Sequence, residues 1–208
     1  MSRPAQIRFL SRFAAAYDPV VGFMGFPPLW KALADVAAPA AGEWTLDVCT
    51  GTGGAALELA RRGARVVGLD LAAGMLRRAQ RKRHTAAPAV PYFVRMDARQ
   101  LAFADRSFPL VTCSMALHEM AEAERTRTLT EIARVASGRV VIAEYRVPRE
   151  ARQRLLFRVS RAFEYAESDD FGAFVRRDLG KRLAQAGLGV AAEHDVGAYR
   201  VWVCQRKV

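Results

Sequence analysis

Residues 46–54 read LDVCTGTGG, a short apolar strand that runs into a glycine-rich turn and then into a segment with helical spacing. Glycine lets the backbone turn tightly and lets a ligand approach the chain beside the free amide groups of a helix N-terminus. The stretch from Gly51 to Ala56 also fits the G-x-G-x-x-A form of a dinucleotide-binding turn. Taken alone this fit is weak, because many glycine-rich turns between a strand and a helix would satisfy it.

Strand-like and helix-like segments alternate on both sides of this turn. Short β-branched or apolar runs predict seven strands at Trp44–Cys49, Arg65–Leu69, Val90–Arg95, Phe108–Cys113, Arg139–Tyr145, Leu188–Ala192 and Tyr199–Cys204. Helical spacing occurs at Gln6–Ala15, Pro28–Val36, Gly54–Arg62, Ala73–Arg83 and Ala121–Val135, with one or two more helices between 149 and 186. Strands separated by helices predict a parallel sheet with helices on both faces. The last two strands are joined by a link short enough for a hairpin, so the final strand is predicted to be antiparallel.

Length and composition predict one globular domain. The chain has 208 residues, of which 51% are hydrophobic and 25% charged, which excludes disordered and fibrous classes. We expect neither a signal peptide nor a membrane-spanning helix, since no apolar run approaches roughly 20 residues. The chain has three cysteines, Cys49, Cys113 and Cys204, which are far apart and lack metal-binding spacing. We therefore predict neither a metal site nor a disulfide framework. Such cysteine usage favours a reducing cytoplasm.

The net charge of +11 leaves the partner open, with 32 Lys and Arg residues against 21 Asp and Glu. A basic surface attracts nucleic acid, anionic lipid or acidic substrates without choosing among them. An ordinary solvated surface explains the charge equally well.

Three successive predicted strands end in an acid, at Asp47, Asp70 and Asp97. The carboxyl ends of parallel strands form the edge where open α/β sheets bind ligands, and an acid after the second strand can hold ribose hydroxyls. Asp47 can accept hydrogen bonds from an ammonium group or from turn amides, whereas it would repel a pyrophosphate. Singly, Asp47 could cap the turn and Asp97 a helix, but the three together favour a ligand site.

At this point the sequence resembles the class I S-adenosylmethionine-dependent methyltransferases. The resemblance rests on LDVCTGTGG (46–54), VVGLDLAAGML (66–76), MDARQLAFADRSFPLV (96–111) and LTEIARVASGRVVIAEY (129–145). It implies a Rossmann-like α/β fold: a seven-stranded, mostly parallel sheet with an antiparallel last strand, helices on both faces and an N-terminal helical lid. It also implies S-adenosyl-L-methionine as cofactor and S-adenosyl-L-homocysteine as product. We divide the single predicted domain into an N-terminal helical cap (1–40), a cofactor-binding core (41–145), and cap helices with a terminal hairpin (146–208).

The resemblance also implies roles for individual positions around the cofactor. Asp47, Cys49, Gly51 and Gly53 would surround its amino-acid part, with Cys49 standing where many members have glycine. The ribose and adenine would meet Asp70, Leu71, Met75, Asp97 and Ala98. Ser114 and Met115 would lie beneath the sulfonium.

Two further residues are candidates for catalysis, Tyr17 and His118. The segment from Arg12 to Asp18, followed by Trp30, is similar to the entry region of ubiquinone/menaquinone C-methyltransferases and related lipid enzymes, which implies that Tyr17 contacts the cofactor. His118 follows the fourth strand, and its ordinary pKa suits a general base. The alternative is that His118 caps the next helix or packs under the lid. Glu119 is interpreted as a surface or first-turn carboxylate.

The sequence therefore predicts a cytoplasmic methyltransferase that acts on a small molecule, which could be apolar, quinone-like or lipid-like. Transient contact with a membrane surface stays open, because the arginine-rich amphipathic stretch Ala151–Glu167 fits either an ordinary cap helix or a cover over the acceptor. One alternative is a nucleic-acid methyltransferase, although Ser114–Met120 lacks the Asn/Asp-Pro-Pro-aromatic run that holds a flipped base. The others are a cofactor-binding protein without turnover and a nicotinamide dehydrogenase, the latter disfavoured by Asp47 and Asp97.

Overall fold

A computed structural model, which describes residues 3–86, 89–146, 169–176 and 178–206, contains one sheet with helices packed around it. The helices are α1 Arg3–Phe23, α2 Phe26–Ala37, α3 Gly54–Arg61, α4 Ala73–Lys82, α5 Glu122–Val135, α6 Asp169–Arg176 and α7 Leu179–Gln185. The strands are β1 Trp44–Val48, β2 Arg65–Asp70, β3 Tyr92–Arg95, β4 Phe108–Ser114, β5 Ala136–Tyr145, β6 Leu188–Val196 and β7 Tyr199–Arg206. None of the helices in these ranges is long and apolar enough to cross a membrane.

The sheet has the strand order β3-β2-β1-β4-β5-β7-β6, and β7 runs antiparallel to both of its neighbours. This confirms the predicted seven-stranded sheet, mostly parallel with an antiparallel last strand. The last strand is not at the edge, however, because β7 turns back at Gly197 and inserts between β5 and β6. Seven residue pairs, from Arg139 with Gln205 to Tyr145 with Tyr199, hold β7 to β5.

The core lies around the central strands β1, β4 and β5. Most of their apolar side chains are buried, and Leu46, Leu110 and Ile142 are fully so. Burial on both faces is what near-continuous apolar runs in parallel strands predict. The carboxyl ends of β1 to β4 therefore open towards one rigid edge of the sheet.

Helix α1 extends well beyond the predicted Gln6–Ala15 and continues through Pro19 to Phe23. It packs closely on α4 at Gly74, where an added Cβ would lie 2.0 Å from the carbonyl oxygen of Ser11. Because a side chain at position 74 would push the two helices apart, this glycine lets α1 lie next to the open sheet edge. The predicted amphipathic segment Ala151–Glu167 lies outside the described residues.

Candidate active site

A cleft at the carboxyl ends of β1, β2, β3 and β4 holds most of the predicted site residues. It contains about 870 Å³ of space, part of it open to solvent. Helices α1 and α2 contribute the opposite wall. The lining residues are Ile7, Tyr17, Phe26, Trp30, Cys49, Thr50, Gly51, Thr52, Asp70, Leu71, Ala72, Met75, Met96, Asp97, Ala98, Ser114, Met115, Ala116, Glu119 and Met120.

The glycine turn is built from backbone conformations that favour glycine. Gly51 has φ +55° and Gly53 has φ +84°, while Cys49, at φ +57°, adopts the same left-handed region with a side chain. A Cβ on Gly51 would meet no protein atom within 4 Å, so this residue faces open space in the cleft. A Cβ on Gly53 would instead lie 2.9 Å from the Phe93 ring. Gly51 therefore leaves room for a ligand, whereas Gly53 leaves room for packing.

Asp47 lies beneath the turn, not on the cleft wall. Only 1% of it is exposed, and its two carboxylate oxygens accept hydrogen bonds from the hydroxyls of Thr50 (2.6 Å) and Thr112 (2.7 Å). Burial raises the pKa of Asp47 to about 6, against the lowering effect of these hydroxyls. Asp47 and Gly53 therefore support the turn from behind, and their predicted place around the amino-acid part of the cofactor stays a prediction.

Asp70 lines the cleft and also joins two loops. Its carboxylate accepts the amide of Gly51 at 2.9 Å and the amide of Ala72 at 2.8 Å. The turn after β1 and the loop after β2 are thus fixed to each other through one side chain. Carboxylate oxygens have several lone pairs, so Asp70 can accept ligand hydroxyls while it keeps these amides.

Asp97 also lines the cleft, but its charge is largely balanced. The guanidinium of Arg99 donates to both carboxylate oxygens, at distances from 2.6 to 3.1 Å, and the Arg99 amide donates to Oδ1. Arg99 in turn bonds Glu124 on α5. A carboxylate that is held and neutralised in this way suits contact with an uncharged polar group.

The wall of the cleft is acidic in a strongly basic chain. Asp70, Asp97 and Glu119 line it, and no Lys, Arg or His occurs among the described lining residues, so Asp70 and Glu119 make the wall acidic even though Arg99 balances the charge of Asp97. Such a wall attracts a cation and repels a phosphate. The residues therefore fit a ligand that carries an ammonium or sulfonium charge, and they do not fit a pyrophosphate. No cluster of side chains able to hold a metal ion occurs among the described residues.

Tyr17, on α1, reaches the cleft because the neighbouring Asp18 fixes the helix. Asp18 accepts hydrogen bonds from Thr52 in the glycine turn (2.6 Å) and from Arg78 and Lys82 on α4 (both 2.9 Å). Burial, and then the nearby carboxylates, Glu119 first, raise the pKa of Tyr17 above its ordinary range. The phenol therefore stays protonated, and its hydroxyl is available as a hydrogen-bond donor.

His118 lies one layer behind the cleft lining, and its predicted role as a general base stays a prediction. It is 7% exposed, and its Nδ1 lies 2.8 Å from Oε2 of the fully buried Glu144. The rings of Tyr145 and Phe171 contact its imidazole edge to face. His118 is thus packed among aromatic side chains and is not the N-cap residue of α5, which is Ala121.

Sequence reasoning missed several residues of the wall, above all Glu119. It lies in a 3₁₀ turn, Leu117–Glu119, because α5 begins only at Glu122. Trp30 packs directly over the start of α3, where a Cβ on Gly54 would lie 2.5 Å from its ring. The double glycine at positions 53 and 54 was the signal for this close contact.

Comparisons with known proteins agree with this geometry. A family profile described as a methyltransferase domain matches residues 45–138. The demethylmenaquinone methyltransferase of Thermobifida fusca (strain YX) is 32% identical over 175 residues, which cover 79% of this chain and 73% of that protein. The demethylmenaquinone methyltransferase of Clavibacter sepedonicus is 36% identical over 152 residues, or 70% of this chain, and the chain spans only 60% of that relative.

The fold is shared with solved methyltransferases. The magnesium protoporphyrin IX methyltransferase of Synechocystis PCC 6803, solved with bound SAM, superposes with a TM-score of 0.63 at 20% identity. The match covers 92% of this chain and 83% of that chain. At this level of identity the likeness concerns the fold.

Proposed function

The chain belongs to the class I S-adenosylmethionine-dependent methyltransferases, in the group of the demethylmenaquinone methyltransferases, and we propose that it methylates a quinone-like small molecule in its reduced, hydroquinone form. The acidic cleft wall carries this proposal, because it selects a cationic cofactor in a chain whose net charge is +11. When bound, S-adenosyl-L-methionine supplies an activated methyl group on a positively charged sulfur.

The residues that would hold the cofactor follow the strand order along the sheet edge. Asp97 and Ala98 on the β3 side would meet the adenine, and Asp70 after β2 the ribose, with Leu71 and Met75 beside them. Cys49 and Gly51 after β1 would lie along the amino-acid part, and Ser114 and Met115 after β4 would form the floor beneath the sulfur. Asp47 and Gly53 hold the turn that presents these atoms.

The apolar part of the cleft suits a flat acceptor. Phe26 and Trp30 from α2 face Met115 and Met120 from the loop after β4, and the two aromatic rings pack edge to face at 5.9 Å. Aromatic walls bind ring systems through dispersion and quadrupole contacts. A quinone ring is electron-poor, so only its reduced form has the electron density to attack a methyl carbon. Alignment and exclusion of water are then the main tasks of the protein.

We also propose that α1 brings the cleft to a membrane surface, where a lipid-like acceptor would reside. Phe9, Val20 and Phe23 are exposed on this helix, Phe23 at 97%, and the exposed arginines Arg8 and Arg12 lie close to Phe9 in its N-terminal half. Exposed apolar side chains next to arginines bind the interface of anionic bilayers. Sedimentation with phosphatidylglycerol vesicles should be lost in Phe23→Ser, and binding equal to that of phosphatidylcholine vesicles would reject the idea. A cytoplasmic location is part of the same proposal.

The main test measures cofactor binding and transfer separately. Calorimetry should detect S-adenosyl-L-homocysteine binding to the wild-type protein, and NADH should produce no heat. Transfer of a labelled methyl group should occur to reduced naphthoquinones and not to their oxidised forms. Equal transfer to both forms, or transfer to RNA that persists at physiological salt, would contradict the acceptor class. Binding without transfer to any acceptor would favour a protein that binds the cofactor without turnover.

A further inference from the structure

We propose that Glu119 is the group that takes up the proton lost by the acceptor, and that the buried pair of His118 and Glu144 positions it. This inference rests on the proposed function, because it assigns the base for that same reaction. Its starting point is the location of three carboxylates along one cleft, of which only one follows β4.

Glu119 occupies the part of the wall that faces α1. It lies in the 3₁₀ turn after β4, next to the predicted floor residues Ser114 and Met115. Its carboxylate is close enough to Tyr17 to raise the pKa of that phenol. Glu119 and Tyr17 both line the cleft, Glu119 from the turn after β4 and Tyr17 from α1.

The turn that carries Glu119 is held from behind by Glu144. One oxygen of Glu144 accepts the amides of Ala116 (2.9 Å), Leu117 (2.7 Å) and His118 (3.3 Å). Its other oxygen lies 2.8 Å from Nδ1 of His118. A buried carboxylate with this many donors fixes both the backbone and the imidazole.

The imidazole stands between two carboxylates. Its Nδ1 faces Glu144, and its Nε2 lies 3.9 Å from Oε1 of Glu119. This distance is longer than a hydrogen bond, so the imidazole and the Glu119 carboxylate are neighbours without a direct hydrogen bond between these two atoms. His118 does not line the cleft, so it acts on the reaction through Glu119 and is a positioning residue.

The other polar groups of the wall are committed to different tasks. Asp70 holds the amides of Gly51 and Ala72, and Asp97 is paired with Arg99. Tyr17 keeps its proton over the ordinary pH range, since burial raises its pKa. Among the described lining carboxylates, Glu119 is the one that follows β4, beside the predicted floor under the sulfur, and its place there is what assigns it the proton.

The proposed step methylates a ring carbon of the hydroquinone and then removes the proton from that carbon. An electron pair of the hydroquinone ring forms a bond to the methyl carbon, and the electrons of the broken carbon–sulfur bond stay on sulfur. The ring carbon then carries both a hydrogen and the new methyl group. Transfer of that hydrogen as a proton to the Glu119 carboxylate restores the aromatic ring. General base catalysis of this kind contributes about 10²- to 10⁴-fold in rate.

The decisive experiment compares Glu119→Gln with Glu193→Gln, a change on the edge strand β6 where Glu193 pairs with Arg200. With labelled cofactor and a reduced naphthoquinone, Glu119→Gln should lower kcat by about 10²-fold or more, and Glu193→Gln should leave it unchanged. Calorimetry should give both variants a wild-type Kd for S-adenosyl-L-homocysteine. Formate added to Glu119→Ala should restore turnover in proportion to its concentration, which a purely structural role would not allow.

The positioning role of His118 is tested by a double-mutant cycle. His118→Asn should lower kcat without changing KM, and its effect should nearly vanish when Glu119→Gln is already present. Additive losses would reject the coupling of the two residues. A Glu119→Gln variant with wild-type kcat, or one that loses cofactor affinity instead of kcat, overturns the inference and leaves the proposed function intact. A wild-type protein that methylates no hydroquinone overturns both.

Discussion

Replacing Asp47 by Asn should change how the stability of the protein depends on pH. Asp47 is fully buried beneath the glycine turn, and its pKa rises from the ordinary 3.8 to about 6. A carboxyl group whose pKa is higher in the folded state binds its proton more tightly there, so folding is favoured below pH 3.8 and this advantage is lost as the pH rises through 6. At about 1.4 kcal/mol for each pKa unit, the buried carboxylate lowers the free energy of unfolding at neutral pH by about 3 kcal/mol.

Urea unfolding at several pH values between 4 and 8 measures this effect. The free energy of unfolding of Asp47→Asn should rise relative to wild type by about 2.4 kcal/mol between pH 4 and pH 7, because part of the full effect is already present at pH 4, and the difference should then level off. Any loss of the hydrogen bonds to Thr50 and Thr112 adds a constant offset, because hydroxyl donors do not titrate in this range. The change with pH therefore isolates the buried charge.

Asp35→Asn provides a control of opposite sign. Asp35 is exposed on α2, and its hydrogen bonds to Arg62 and Lys31 lower its pKa. The stability that Asp35 contributes is therefore lost as the pH falls. The free energy of unfolding of Asp35→Asn should rise relative to that of wild type only towards acid pH. If the Asp47→Asn and wild-type curves run parallel from pH 4 to pH 8, Asp47 is not strained by burial and the reasoning fails.

Three further predictions concern the cleft. Asp70→Ala should weaken S-adenosyl-L-homocysteine binding by about 1.5–3 kcal/mol, the range for hydrogen bonds to a charged group, and calorimetry measures this loss. Unchanged affinity in a folded variant would show that Asp70 does not bind the ribose. Gly51→Val should abolish that binding because its side chain would enter the cleft at φ +55°, whereas normal binding would make the glycine purely structural. If α1 is a lid, hydrogen exchange in residues 5–25 should slow only when cofactor is bound. On the same reading, Tyr17→Ala should both lower kcat and raise the cofactor Kd. Protection that does not depend on cofactor would assign Tyr17 and α1 to the static core.

Much of the fold could be predicted from the sequence because its signals are local. The apolar runs predicted every strand, and β1 to β5 begin and end within a few residues of the predicted limits. The position of β7 between β5 and β6 could not be predicted, since it depends on pairing across more than fifty residues. The length of α1 was also missed, because its packing at Gly74 outweighs the break that Pro19 suggests.

The sequence by itself determined that three acids and a glycine turn meet at one edge of a parallel sheet, because strand ends and turn glycines are read from adjacent residues. Only the tertiary structure decided which of these groups face the cleft. Asp47 and Asp70 both end strands, yet two threonines hold Asp47 below the turn while Asp70 stays on the wall. His118 and Glu119 are neighbours in the sequence. The carboxylate of Glu144, 26 residues further along the chain, holds the imidazole of His118 in the interior, whereas Glu119 lines the cleft. A turn of three residues is too short for a hydrophobic period that would predict which side chain is buried. Its buried side is therefore set by a contact with a residue far away in the sequence.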